Sequence, residues 1–181
     1  GAGAARNIGL EHAQGDFISF LDADDYMLRS RFSKTKTVFA QFPQVDGVYE
    51  ALGLEGSDEI TMMTERVDPD SLFFSMEPFG KKGHFSVCGL TVNANSVKQN
   101  FRFSQKLEIG EDTEWLARLS LKRRLYAGHL MDSVVVRTLH SSNTTATSRR
   151  NYQDKELMSK ILLVWAFRDT HAQQVVNRLA E

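Results

Sequence analysis

The chain lacks the features that mark disulfide scaffolds, membrane-spanning proteins and nucleic-acid binders. Its single cysteine, Cys88, cannot form an intrachain disulfide, which fits a reducing compartment, and it lies in an apolar stretch that predicts a buried structural thiol. No apolar run approaches the roughly 18 residues of a membrane span. The net charge of -1 gives no overall attraction to nucleic acid or to an anionic surface. What remains is an ordinary globular composition, 41% hydrophobic and 25% charged over 181 residues, which predicts one domain with its own core.

Hydrophobic periodicity predicts helices that alternate with strands. A helix over 4–13 precedes a strand over 17–21, and a helix over 29–42 precedes a strand over 46–54. Strand, helix and strand of these lengths suggest a parallel βαβ unit and an α/β fold. Further elements are predicted downstream: a short helix over 68–76, a strand over 86–93, a helix over 111–124, a strand over 133–139 and a final helix over 152–179.

Three carboxylates stand where the first predicted strand ends. In a strand, side chains alternate between faces, so Asp22 and Asp24 point the same way from it. Two like charges at that distance repel unless a cation or a hydrogen-bond network lies between them. Hard oxygen ligands of this kind suit Mg2+ or Mn2+. The alternative is a solvated acidic turn in which Asp25 caps the following helix.

Glycines at the start of the chain raise a different possibility, a dinucleotide-binding fingerprint. Gly1 and Gly3 precede a helix, and glycines there leave its amino terminus open to an anion. That fingerprint needs a preceding strand and a third glycine, and both are missing. A dinucleotide site is therefore disfavoured.

Three segments carry a more specific signal when they are taken together. They read Gly3-Ala4-Ala5-Arg6-Asn7-Ile8-Gly9-Leu10, then Ala13-Gln14-Gly15-Asp16, then Phe20-Leu21-Asp22-Ala23-Asp24-Asp25. In order and spacing this sequence resembles inverting family-2 glycosyltransferases of the GT-A fold. The resemblance implies a GT-A-like, Rossmann-like domain with a mostly parallel sheet flanked by helices.

The resemblance implies a donor site around the acidic cluster. Asp22 would face the ribose side of a nucleotide-sugar, and Asp24 would ligate Mn2+ or Mg2+ on its diphosphate. Arg6 would lie near the nucleotide, although a surface salt bridge is the alternative. His140, after the predicted strand over 133–139, would join the metal or diphosphate site, although it could also be an ordinary exposed histidine. The preceding residues Arg137-Thr138-Leu139 are less aromatic than is typical of the family.

A second acidic motif, Gly110-Glu111-Asp112-Thr113-Glu114-Trp115, begins the helix over 111–124. Neighbouring helical residues diverge by about 100°, so Glu111 and Asp112 cannot face one point. The resemblance favours Asp112 as the general base, with Glu111 and Trp115 on the acceptor side. The alternatives are acidic residues favoured by the helix dipole and, for Trp115, a place in the core.

The resemblance also implies what the protein does and where. We expect transfer of a sugar, most often from a UDP-sugar, to a carbohydrate hydroxyl with inversion, in bacterial surface polysaccharide synthesis at a cytoplasmic site. The final helix could support a homodimer or association with a membrane surface. The rivals are a catalytically silent binding or assembly module and an Mg2+-dependent phosphotransferase, the latter disfavoured because no phosphate-binding lysine motif occurs.

The resemblance does not cover the whole family pattern. The strand, helix and strand with which the family normally begins are not present, so a partial GT-A-like domain is expected over 1–150 and a helical extension over 151–181. A donor pocket without those strands would be incomplete, which raises the possibility of an inactive fragment. It would also leave an apolar sheet edge exposed.

Overall fold

The computed structural model describes residues 1–60, 66–77, 79–83, 86–98, 101–138, 156–162 and 164–165. The helices are α1 (Ala2–His12), α2 (Arg31–Gln41), α3 (Leu72–Ser75), α4 (Ala94–Val97) and α5 (Glu111–Lys122). The strands are β1 (Phe17–Ser19), β2 (Tyr26–Met27), β3 (Gly47–Tyr49), β4 (Leu52–Leu54), β5 (Ser57–Ile60), β6 (Leu90–Asn93), β7 (Leu125–Ala127) and β8 (Val135–Arg137). The predicted α/β class is confirmed.

The first sheet has the strand order β1-β6-β3-β7. β6 pairs antiparallel with both β1 and β3, and β3 pairs parallel with β7. Three strands therefore run in one direction and β6 opposes them. The predicted βαβ unit, formed by β1, α2 and β3, has the expected parallel directions, but β6 lies between its two strands.

The second sheet has the order β2-β8-β4-β5, with β4 and β8 parallel and the two outer pairs antiparallel. The prediction of one strand over 46–54 is wrong, because β3 belongs to the first sheet and β4 to the second. The change happens at Glu50 and Ala51. The amide of Glu50 donates to the carbonyl of Gly89, and the amide of Ala51 donates to that of His129.

The predicted helices are found with changed ends. The helix over 29–42 begins at Arg31, and the predicted helix over 68–76 is a 3-10 turn at Pro69–Ser71 followed by α3. Residues 156–162 and 164–165 are helical, and the rest of the predicted helix over 152–179 lies outside the described residues. Among the described residues, no helix has both the length and the apolar character needed to cross a membrane.

The main core is formed by buried residues of both sheets together with residues of α1, α3 and α5. Trp115 is at its centre, with no exposed surface, and its ring stacks on Phe103 at 4.5 Å between centroids. Phe20 meets both rings edge-on, at 5.4 Å from Phe103 and 5.6 Å from Trp115. Such edge-to-face and offset arrangements are favoured by the ring quadrupoles. The cluster fixes α5 against the segment that leads from β1 into the acidic turn.

Candidate functional site

The acidic turn joins β1 to β2. The amide of Asp25 donates to the carbonyl of Asp22 at 3.2 Å, which closes the turn. Asp24 is exposed at its tip, whereas Asp22 and Asp25 are partly buried. Burial raises the pKa of the Asp25 carboxyl above its usual range, and the charges of Asp22 and Asp24 add to this effect.

The expectation that Asp25 caps the following helix is wrong. α2 begins at Arg31, and Ser30 occupies its N-cap position. The Asp25 side chain instead accepts a hydrogen bond at 3.1 Å from the amide of Thr138, at the end of β8. Asp25 thus fastens the turn to the second sheet.

The turn also approaches Cys88. Asp22, Asp25 and Cys88 each offer one possible ligand atom, and these atoms lie within 4.8 Å of one another. Cys88 is buried, as predicted, and burial raises the pKa of its thiol to about 12. A protonated thiol is a poor ligand for a hard cation. The donors that fit Mg2+ or Mn2+ are therefore the carboxylates.

The two residues that were predicted to hold the metal, Asp24 and His140, are not part of this group of described residues. Asp24 is exposed on the same turn but lies outside this group of possible ligand atoms among the described residues. His140 lies outside the described residues. Their assignment stays a prediction.

Arg6 links the acidic turn to the second acidic motif. Its Nη2 donates to Oδ1 of Asp22 at 2.7 Å and its Nη1 donates to Oε1 of Glu111 at 2.6 Å. The guanidinium also lies 5.5 Å from the centroid of the Phe103 ring. Burial alone would lower the pKa of Arg6, but hydrogen bonds and charges of the two carboxylates raise it. Arg6 is thus largely enclosed rather than a surface salt bridge.

α1 presents Arg6 because its neighbours fasten the helix to the segment over 101–104. The Asn7 side chain donates to the carbonyl of Phe103 at 2.9 Å and accepts from the Phe103 amide at 2.8 Å. Gly3 lets the two backbones approach, since a Cβ at this position would lie 2.7 Å from the carbonyl oxygen of Ser104. The sequence alone predicted no role for Asn7. Its position next to Arg6 in the motif was the one feature that could have pointed to it.

Two glycines of α1 provide a matched test of this docking. We expect Gly3→Ala to lower the free energy of unfolding by about 1–3 kcal/mol, because the new methyl group overpacks the contact with Ser104. Gly9→Ala should instead be neutral or stabilising by up to about 1 kcal/mol, because alanine favours the helix and nothing lies within 4 Å. Urea denaturation followed by circular dichroism measures both changes. Equal effects at the two positions would contradict the docking.

The second acidic motif begins α5. Gly110 precedes it with φ of 83°, a left-handed conformation that favours glycine. Glu111 is buried towards Arg6, whereas the half-buried Asp112 accepts a hydrogen bond at 2.7 Å from the amide of Thr113. Burial raises the pKa of Glu111, as does the charge of Asp112, while Arg6 opposes both. The two neighbouring carboxylates therefore have different surroundings.

Trp115 is not available as a surface for an acceptor in this structure. It is fully buried, and its Nε1 donates to the carbonyl of Phe101 at 3.2 Å. The predicted acceptor-side contact is therefore corrected to a place in the core, the alternative left open by the sequence. The physical reason is that Trp115 lies one turn beyond Glu111 on a side of α5 that packs against Phe20 and Phe103.

Comparisons with known proteins relate the chain to glycosyltransferases. Residues 1–51 match Glycosyl transferase family 2. An uncharacterized glycosyltransferase of Haemophilus influenzae is 38% identical over 101 residues, which cover 54% of this chain and 38% of that protein. The minor teichoic acid biosynthesis protein GgaB of Bacillus subtilis is 26% identical over 133 residues, which cover 70% of this chain and 14% of GgaB. The chain thus spans well under half the length of both curated relatives.

Solved structures extend the similarity to the fold. S. aureus TarS 1-349 in complex with UDP has a TM-score of 0.69 at 17% identity, over 99% of this chain and 49% of that one. Its complex with UDP-GlcNAc gives a TM-score of 0.64, over 96% of this chain and 51% of that one. The chain has a GT-A-like fold, and its resemblance to the family-2 glycosyltransferases is confirmed.

Proposed function

We propose that the chain takes part in the transfer of a sugar from a nucleoside-diphosphate donor to a carbohydrate hydroxyl, with inversion and metal assistance. The observation that carries this proposal is the meeting of the two acidic motifs. Asp22 and Glu111, which are far apart in the sequence, are held by the same arginine. This contact supports a site in which the proposed donor-side carboxylates lie close to the helix end that bears the proposed base.

On the donor side, the chemistry requires help for a leaving group. A nucleoside diphosphate takes on negative charge as the bond to the sugar breaks, and a bound divalent cation would stabilise that charge. Asp22 and Asp24 are the proposed donor-side carboxylates, Asp24 as a metal ligand, and Asp25 offers another oxygen near Asp22. We keep His140 as a proposed donor-side residue. Arg6 contributes by holding Asp22 in place.

On the acceptor side, an attacking hydroxyl must lose a proton. Asp112 is the proposed general base, because it is half-buried at the first turn of α5 while its neighbour Glu111 faces away towards Arg6. A positioned carboxylate that removes the proton as the sugar–oxygen bond forms avoids a free alkoxide. Attack from the face opposite the leaving group inverts the sugar carbon.

The relatives suggest the substrate class. The TarS structures contain UDP and UDP-GlcNAc, and GgaB is named for teichoic acid biosynthesis. We therefore propose a UDP-sugar as the donor and a surface polysaccharide as the acceptor, with the reaction on the cytoplasmic side where nucleotide-sugars would be supplied.

Binding of UDP to this chain tests the proposal. We expect isothermal titration calorimetry to detect UDP in the presence of Mn2+ and to show weaker binding after Asp24→Asn. Asp132→Asn is the matched control, since it also neutralises an exposed aspartate but at a site where the partner is Lys34. No UDP binding, with or without Mn2+, would overturn the proposal for this chain. UDP binding without sugar transfer would favour the catalytically silent binding module.

A further inference from the structure

One partly buried cation, Arg6, contacts two carboxylates that differ in exposure. The Arg6 side chain is 13% exposed and that of Glu111 is 9% exposed, whereas that of Asp22 is 42% exposed. The contact with Glu111 is therefore the less exposed of the two, and the contact with Asp22 is the more open. A ligand that arrives at the acidic turn therefore meets Asp22 more readily than Glu111.

We propose that Arg6 is a positioning residue whose shared guanidinium couples Asp22 to Glu111, so that a change at the acidic turn alters the start of α5. Arginine suits this role because it stays charged and presents several donors in a fixed planar geometry. Each Nη atom is directed at a different carboxylate. The two anions therefore compete for one positive charge.

The residues around Arg6 hold it in place between the two carboxylates. Asn7 makes two hydrogen bonds to the backbone of Phe103, and Phe103 lies under the guanidinium. These contacts fix the helix turn that carries Arg6 and hold the guanidinium between the two carboxylates. Partial burial also limits screening by water and salt.

The coupling predicts opposite effects on the pKa of Glu111 when the charge of Asp22 or the charge of Arg6 is removed. Without the charge of Asp22, Arg6 is held by Glu111 alone and stabilises its carboxylate more strongly. Without the charge of Arg6, Glu111 is left buried beside Asp112, and its ionised form is disfavoured. A residue that only held the fold together would loosen the site in both cases and would not reverse the sign.

The experiment is a titration of Glu111 in this chain, followed by ¹³C NMR of its side-chain carboxyl. We expect Asp22→Asn to lower the pKa of Glu111 by about half a unit or more, and Arg6→Gln to raise it by about one unit. Asp132→Asn, which removes a distant exposed charge, should leave it unchanged. Thermal melts establish that each variant is folded.

An unchanged or raised pKa of Glu111 in Asp22→Asn would overturn the coupling. That variant is informative even if Arg6→Gln fails to fold, because the Asp22 side chain is the partly exposed end of the arrangement. Two points rest on the proposed function: the effect that a shift at the start of α5 would have on Asp112 as the base, and the UDP-binding measurement made on Glu111→Gln. Because the titration uses no substrate, absence of UDP binding would count against the proposed function and not against the coupling.

A second measurement tests the reverse direction, which linkage requires. Glu111→Gln should weaken Mn2+-dependent UDP binding about threefold to tenfold, because Arg6 then holds Asp22 more tightly and competes with the ligand. The matched control is Glu114→Gln, which breaks the buried pair of Glu114 with Arg118 on the same helix. Equal losses of affinity in the two variants would contradict the coupling.

Discussion

Asp112→Asn is expected to slow sugar transfer by about a hundred- to ten-thousandfold, the usual contribution of a positioned general base. Asparagine has nearly the same shape, and its Oδ1 can still accept the hydrogen bond from the Thr113 amide. The start of α5 should therefore keep its geometry. UDP should bind with an affinity within about twofold of the unchanged chain, because the substitution removes an interaction needed in the transition state.

The measurement pairs initial rates of transfer from a UDP-sugar with calorimetric UDP binding. Asp132→Asn serves again as a control for the loss of one negative charge, and it should leave both quantities unchanged. Turnover that is unchanged in Asp112→Asn would remove this residue as the base. A parallel loss of turnover and UDP affinity would place it on the donor side instead.

The acidic turn and the start of α5 could be predicted because their signals are local. An apolar run followed by aspartates predicts the end of a strand, and glycine followed by acidic residues predicts the start of a helix. The structure has β1 before the acidic turn and α5 beginning at Glu111. Periodicity also placed Trp115 among the apolar positions of α5, so its core position was open to prediction.

Contacts across the chain could not be predicted in the same way. Arg6 and Glu111 are separated by 105 positions, and Asp25 and Thr138 by 113. No local pattern specifies which carboxylate an arginine will reach over such a distance. Asp25 illustrates the consequence, because its sequence context fits a helix cap equally well, and tertiary packing directs it to β8 instead.

The strand order shows a related limit. The βαβ pattern predicts the directions of β1 and β3, because a helix of this length returns the chain to the same end of the sheet. It cannot predict that β6, some forty residues later, pairs with both strands. Likewise, the run over 46–54 looks like one strand, because β3 and β4 are both largely buried and mostly apolar. The hydrophobic pattern does not mark the point at Glu50 where the chain passes from one sheet to the other.

Trp115→Ala is expected to lower the free energy of unfolding by about 3–5 kcal/mol, the range for deletion of a large buried aromatic side chain. The indole is fully buried, stacks on Phe103, meets Phe20 edge-on and donates to the carbonyl of Phe101. Its removal leaves a cavity and a carbonyl without its donor. Trp115→Phe should cost less, since it keeps most of the packing and loses only the hydrogen bond and part of the volume.

Urea denaturation followed by circular dichroism checks this result without depending on the fluorescence of the residue that is changed. Phe32→Ala is the matched control, because Phe32 is an aromatic residue on α2 with 49% of its surface exposed, and its loss should cost under about 1 kcal/mol. A small change of stability in Trp115→Ala, together with weaker use of the acceptor, would restore the acceptor-side role. A large loss in Trp115→Ala with a small one in Phe32→Ala would show that the aromatic core packed against α5 contributes strongly to the stability of the fold that carries Asp112.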